Sequence, residues 1–385
     1  MSKENVEWLA HIERWLFEVA LPLWAERGFD STRGGFVERL GIPSGAPDSP
    51  FKRMRVQARQ VYVYCQAHLL GWPGPGLEIA ARGLEFMKRG WRPDRGWART
   101  LSPDGDVTDD TLDLYDQAFV LFALGWYLMA SGEASAGKLA RETLECVHRH
   151  LRHPTGEGYM HVRPPTEPWQ QNPHMHMLEA AIVLARASGD DFYLDEAHSL
   201  FTLMQRCFFD PDRGTLAEYY DAHWRRAQGD VGRIVEPGHH FEWSWLLWQF
   251  GKLTSSDVAQ LAIGLFDFAD RHGTDARTGL VYDEVRDDGS VLKSSIRLWP
   301  QTEALKAHLS LMQQGYGNRQ HAVERIIRNL FSIFLDKPAP GMWLDRFASD
   351  YSTPTVETVP ASSLYHIMVA FGEVIRSRVL LGGLK

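Results

Sequence analysis

Two kinds of apolar-periodic segment alternate along the chain. The first kind carries its apolar residues on one face only, over 12–26, 77–91, 138–151, 192–208, 258–271 and 321–335. The second kind is apolar nearly all round, as in Phe119-Val120-Leu121-Phe122-Ala123-Leu124, and begins near Arg55, Tyr115, His174, His239, Leu298 and Ser362. A one-sided pattern predicts a helix with a wet face; an all-round pattern predicts a helix buried on every side.

A short glycine-led element separates the two kinds. It reads Gly34-Gly35-Phe36-Val37-Glu38, Gly96-Trp97-Ala98-Arg99, Gly158-Tyr159-Met160-His161, Gly214-Thr215-Leu216-Ala217-Glu218, Gly279-Leu280-Val281-Tyr282-Asp283 and Gly341-Met342-Trp343-Leu344-Asp345. Glycine followed by alternating residues predicts a tight turn into a short extended ribbon. The spacing of about sixty residues is too long for the repeats of open helical solenoids. Six wet helices alternating with six dry ones make an outer and an inner ring. The expected fold is all-α: an (α/α)6 barrel of six helical hairpins with short β-ribbons at one mouth, a single domain over 1–385.

In such a ring the inner helices all run the same way, so their N-termini meet at the mouth that the ribbons feed. Those N-termini carry Arg55, Tyr115 with Asp116, His174 with His176, His239 with Glu242, Trp299 with Gln301 and Glu303, and Tyr365 with His366. Polar residues opening otherwise apolar helices are costly to bury unless they are used. Their convergence at a concave end defines the default binding site, and the helix dipoles there favour negative charge. His176, His239 and His366 recur at one register of three repeats. His174 points about 200° away from His176, and His240 points away from His239, so both read as structural. His239 and Glu242 are three apart on one helix face, the spacing at which a carboxylate fixes an imidazole's tautomer for proton transfer.

Charge narrows the partners. Acids and bases are interspersed at a formal net charge of −8, with no basic stripe for a phosphate backbone, so nucleic acid is not expected. No apolar run reaches spanning length, and 1–15 is too charged for a signal peptide, so neither membrane nor export is expected. Cys65, Cys146 and Cys207 are scattered, without disulfide or metal spacing, which suits a reducing cytoplasm. Arg225, Arg226 and Arg233 precede His239 and are expected to be solvated loop charges, although they could meet an anion. Oligomeric state is not legible.

Five motifs resemble the N-acylglucosamine 2-epimerase superfamily, and within it the mannose isomerase branch. They are Arg55-Val56-Gln57-Ala58-Arg59-Gln60, Asn172-Pro173-His174-Met175-His176-Met177-Leu178-Glu179-Ala180, Glu236-Pro237-Gly238-His239, Trp299-Pro300-Gln301-Thr302-Glu303 and Ser363-Leu364-Tyr365-His366. They span nearly the whole chain in order. The resemblance implies metal-free, cofactor-free isomerisation or 2-epimerisation of a sugar through a cis-enediolate. It implies His239 and His366 as acid–base residues, His176 as a third catalytic histidine and Glu242 as the group tuning His239. It also implies Arg55 on the substrate oxygens, Asn172 on hydroxyls and Trp299 stacked on the ring. The expected reaction is interconversion of D-mannose and D-fructose.

Other readings stay open: a 2-epimerase of mannose/glucose or N-acylglucosamine type, or an isomerase of an anionic sugar such as a sugar phosphate or sulfoquinovose. Rival classes are a three-histidine metal isomerase, a glycoside hydrolase on the same barrel, and a scaffold without turnover. Hard cations that chelate sugar hydroxyls want more carboxylates than these motifs offer, and a hydrolase would leave the histidines without a role.

Overall fold

The computed structural model describes residues 3–378 and Leu381; of the domain expected over 1–385, the other positions lie outside the described residues. Thirteen α-helices run in the order α1 (Lys3–Arg14), α2 (Leu21–Arg27), α3 (Met54–Leu69), α4 (Gly76–Met87), α5 (Leu114–Ser131), α6 (Ala134–Leu151), α7 (Asn172–Ser188), α8 (Asp191–Leu203), α9 (Pro237–Thr254), α10 (Ala259–His272), α11 (Leu298–Gln313), α12 (Gln320–Asn329) and α13 (Ser363–Arg376). A π-turn joins α1 to α2, so the two make one outer wall.

The odd-numbered helices from α3 to α13 form the inner ring, each packed on the next, and α13 returns to α3. They are buried on nearly every side: His239 to Phe250 in α9 has no exposed residue. The outer helices keep a wet face, as α6 does with Lys138, Arg141 and Glu142 outward and Leu144 and Val147 inward. The all-α (α/α)6 barrel expected from the pattern is the observed fold. Among the described residues no helix is long and apolar enough to cross a membrane.

The ribbons close the ring at one end. After each outer helix a tight hairpin pairs Phe29 with Phe36, Trp91 with Trp97, Arg152 with Tyr159, Phe209 with Leu216, Thr274 with Val281 and Leu335 with Trp343. Gly96 shows why glycine leads the element: its φ is +91° and a Cβ there would sit 2.7 Å from Leu112. The strand before each inner helix then pairs antiparallel with the following repeat. Residues 52–53 meet 100–101, 112–113 meet 162–163, 169–170 meet 219–220, 234–235 meet 285–286, and 296–297 meet 346–347. The circle is completed by 358–360 on 39–41.

Each ribbon also needs its inward backbone groups satisfied, because they are cut off from water. A side chain near the start of the inner helix does this. Gln57 clamps the N–H and C=O of Phe36, Gln117 those of Trp97 and Gln301 those of Val281. His174 Nε2 accepts from Tyr159 N–H at 3.0 Å and His240 Nε2 from Leu216 N–H at 3.1 Å. Both histidines are thus structural, as their direction along the helix predicts. Gln301 is corrected by the same geometry: it is a ribbon clamp and does not reach the site. In α13 an apolar residue, Leu364, stands at this place.

Candidate active site

Two residues beyond each clamp, the helix has turned about 200° and faces the barrel axis. Those positions hold Arg59, Phe119, His176, Glu242, Glu303 and His366. His176 and His366 therefore share a register, as expected, but His239 does not: it precedes its clamp residue by one. It reaches the same pocket from the side on which the ribbon carrying Glu218 lies. A pocket of about 210 Å³ is lined by His176, His239, His366, Glu242, Trp299, Asn172 and Tyr115, together with Arg59, Glu236 and Arg297.

Each histidine uses Nδ1 on a carboxylate. His176 meets Glu179 at 3.0 Å, His239 meets Glu218 at 2.9 Å and His366 meets Glu303 at 2.8 Å. Nδ1–H donates to the carboxylate in each pair, which leaves Nε2 for the pocket. The expected pairing of His239 with Glu242 is therefore corrected. Glu218, on a ribbon, holds the imidazole, while Glu242 lines the pocket and points toward Lys306. Glu303 is likewise not a substrate contact, since it is fully buried between His366 and Lys306. Tyr365 O–H donates to both oxygens of Glu179 and fixes it under His176.

The three imidazoles are not equivalent. Burial alone would lower His239, but the charges of Glu218 and Glu236 outweigh it and raise it to about 9, so it is an imidazolium at neutral pH. Burial pushes His176 down to about 3 and drives His366 well below its usual range, helped by the positive charges of Arg59 and Lys306. One imidazolium therefore faces two neutral imidazoles. Trp299 lies between acid and base, its ring 5.0 Å from that of His239 and 5.6 Å from that of His366.

The two arginines of the first motif divide differently from the expectation. Arg55 opens on a neighbouring cavity of about 610 Å³ that shares Tyr115 and Asn172 with the histidine pocket. Its guanidinium is held by Asp116 at 2.8 and 3.2 Å and approaches Asp113 at 3.6 Å. Asp116 is fully buried and occupied with that task, so it does not touch the pocket. Arg59, one turn on, does line it. Arg59 donates to Tyr115 Oη at 2.7 Å and lies over the Phe119 ring at 4.1 Å, and among the described residues it has no carboxylate partner. Its charge is available to an oxyanion. Asn172 Oδ1 is buried without a partner among the described residues, ready for a hydroxyl.

Beneath the histidines Lys306 is fully buried, 2.5 Å from Glu303 and 4.0 Å from Glu242, with its ammonium over Trp245. Among the described residues three groups could ligate a cation: His176, Glu179 and Glu242; Glu242, Glu303 and His366; and Glu218, Glu236 and His239. The Lys306 ammonium lies against Glu303 and near Glu242, and its single charge offsets part of theirs. Arg226 and Arg233 pair with Asp287, and Arg225 with Asp221, so these loop arginines are satisfied away from the pocket. Neither Arg59 nor Glu218 needed a new motif: both stand in segments already singled out, but only the fold shows which way they face.

The N-acylglucosamine 2-epimerase family model matches residues 34–370. A mannose-6-phosphate isomerase of Rhizobium meliloti (strain 1021) is 35% identical over 94% of this chain and 95% of its own. A D-mannose isomerase of Thermobifida fusca is 28% identical over 67% of this chain and 68% of its own. Among solved structures, the cellobiose 2-epimerase of Bacillus thermoamylovorans B4167 superposes with a TM-score of 0.87 at 20% identity, covering 96% of this chain and 98% of that one. The chain belongs to the N-acylglucosamine 2-epimerase family and is an enzyme of the isomerase class.

Proposed function

We propose that the chain interconverts D-mannose and D-fructose by proton transfer through a cis-enediolate. The observation that carries this is the placement of His239 and His366 on either side of Trp299 with opposite protonation states. An acid and a base whose pKa values are driven apart in one pocket form the pair this chemistry needs. The sugar ring stacks on Trp299, and His239 opens it by giving its proton to the ring oxygen and taking the proton of the O1 hydroxyl as the C1 carbonyl forms, which leaves it an imidazolium again. In the open chain, His366 Nε2 removes the C2 proton, the electron pair forms the C1–C2 double bond, and His239 protonates O1. His239 then takes the proton from O2 as the C2 carbonyl forms, and His366 returns its proton to C1. Arg59 stabilises the negative charge that builds on O1 and O2 while these protons are in transit. Asn172 receives a hydroxyl, and His176 completes the wall beside Arg59.

The charge of the pocket supports a neutral sugar. Arg297 is matched by Glu236 at 2.9 Å and Asp283 at 2.6 Å, and Glu242 adds a further acid, so that among the described residues lining this pocket Arg59 is the one arginine or lysine without a carboxylate partner, too little for a phosphate dianion. The name of the Rhizobium relative supports mannose 6-phosphate as a second reading, with Arg55 and Arg99 in the neighbouring cavity as its phosphate contacts. The test is to offer mannose and mannose 6-phosphate in deuterium oxide and follow products by NMR. Fructose should form from free mannose, with deuterium at C1. Glucose labelled at C2 before any fructose would make the enzyme a 2-epimerase, and turnover of the phosphate ester alone would establish the second reading.

A further inference from the structure

At the opposite end of the barrel, the C-terminal halves of the inner helices enclose a second cavity of about 620 Å³. Its walls are mostly apolar and aromatic, with Phe122, Trp126 and Trp245 as the large faces. Set into them are polar atoms with nothing to bond. Gln66 is fully buried, and neither its amide oxygen nor its nitrogen has a partner among the described residues. The indole N–H groups of Trp126 and Trp245 are buried and unpartnered in the same sense. Gly372 leaves the room that Gln66 occupies, since a Cβ there would lie 2.3 Å from its amide nitrogen. Four buried donors and acceptors on residues that line the cavity thus lack a partner among the described residues, and a bound molecule would supply one.

The rim is cationic. Arg186, Lys252 and Arg376 surround the opening, and Glu373 pairs only with Arg376, at 2.8 Å. Arg186 and Lys252 rest on neutral amides instead: Arg186 on the carbonyl and side chain of Gln249, Lys252 on Gln313 at 2.6 Å. Aromatic walls, inner hydrogen-bonding groups and a rim with two uncompensated cations suit a flat ring that bears an acid group. We propose that this cavity is a binding site for a small aromatic carboxylate, and that its occupancy is felt at the catalytic pocket.

The connection is Glu179. This residue lines the distal cavity, yet its carboxylate is the one that holds His176 Nδ1 and accepts from Tyr365. A ligand in contact with Glu179 alters the group that sets the tautomer and basicity of His176, and by linkage the sugar alters affinity for the ligand. Only this coupling rests on the proposed sugar chemistry; the binding does not.

The experiment titrates the full chain with 2-naphthoate by calorimetry and then assays sugar turnover at fixed naphthoate concentrations. Binding should be saturable at one site, and Arg186→Met should weaken it about tenfold through loss of a charge-assisted contact. Val183→Phe, which fills the cavity, should weaken it at least as much. His239→Gln, at the other end, should leave it unchanged while abolishing turnover. Inhibition or activation should be non-competitive with the sugar. Absence of binding, binding that survives both cavity variants, or binding lost in His239→Gln would overturn the site. Binding as expected with unchanged kinetics would overturn the coupling through Glu179. Binding with no turnover of any sugar would instead count against the isomerase reading.

Discussion

Glu218 holds His239 across the boundary between ribbon and helix, carboxylate to Nδ1 at 2.9 Å, in a place where Glu236 adds a second negative charge. This relationship keeps His239 protonated at neutral pH, the state the proposed mechanism needs of its acid. Because His239 is raised to about 9, it stays protonated through neutrality. kcat/KM should therefore be flat near pH 7–8 and fall as pH rises through about 9. Glu218→Gln removes the charge and should move that limb to lower pH. The sign for stability is the same. A raised histidine contributes its full stabilisation below its ordinary value and loses it as pH rises through the folded value, so unfolding midpoints should fall between about pH 6.5 and 9 in the parent and less steeply in Glu218→Gln.

Arg59 and Arg55 should separate cleanly. Arg59→Lys keeps a charge but loses the planar fork held by Tyr115 and Phe119, and should lower kcat by about a hundredfold or more. Arg55→Met should lower turnover by less than about tenfold but cost about 3 kcal/mol in urea unfolding, because Asp116 is left buried and unpaired. Equal kinetic losses in the two variants would refute the division.

Lys306 is the sole cation among the described residues that touches both Glu303 and Glu242. Lys306→Met should destabilise the fold by about 3–5 kcal/mol, since it leaves buried carboxylates uncompensated. The double variant Lys306→Met/Glu303→Gln should recover part of that loss. The comparison is made by urea denaturation, and a double variant less stable than the single one would show that Glu303 is not the group the lysine neutralises.

Exhaustive chelation should leave turnover intact. The carboxylates that would bind a cation beside His366 already face the Lys306 ammonium, and in the proposed mechanism Arg59 supplies the charge that a Lewis acid would supply to the enediolate oxygens. Loss of activity in chelator, restored by one added divalent metal, would contradict this.

The barrel was legible because its signals are local. A glycine turn, a one-sided helix and an all-round helix each declare themselves within a few residues, and their recurrence gives the ring. The pocket histidines followed from the same reasoning, since polar groups at the starts of dry helices need an explanation. The errors came from contacts that no local rule describes. Glu242 is three residues from His239 and was favoured by helix spacing, whereas Glu218 arrives from a ribbon that only the closed ring brings near. Arg55 and Arg59 lie one turn apart on nearly the same face, so only depth along the axis distinguishes them. Gln301 looked available to a sugar, but the backbone of Val281 claims it.

The pairing of 358–360 with 39–41 has a consequence for the order in which this molecule comes into being. A chain emerging from the ribosome holds five hairpins, and with them His176, His239 and Arg59, while one side of the wall is still missing. The strand that closes the wall runs directly into α13, which delivers His366 and Tyr365. Domains fold as their N-terminal portions emerge. In this protein the last of the described helices follows directly on the strand that seals the ring, and it brings the pocket-lining His366 with it. Until that strand pairs, the ring has an open side and the pocket lacks one of its three histidines.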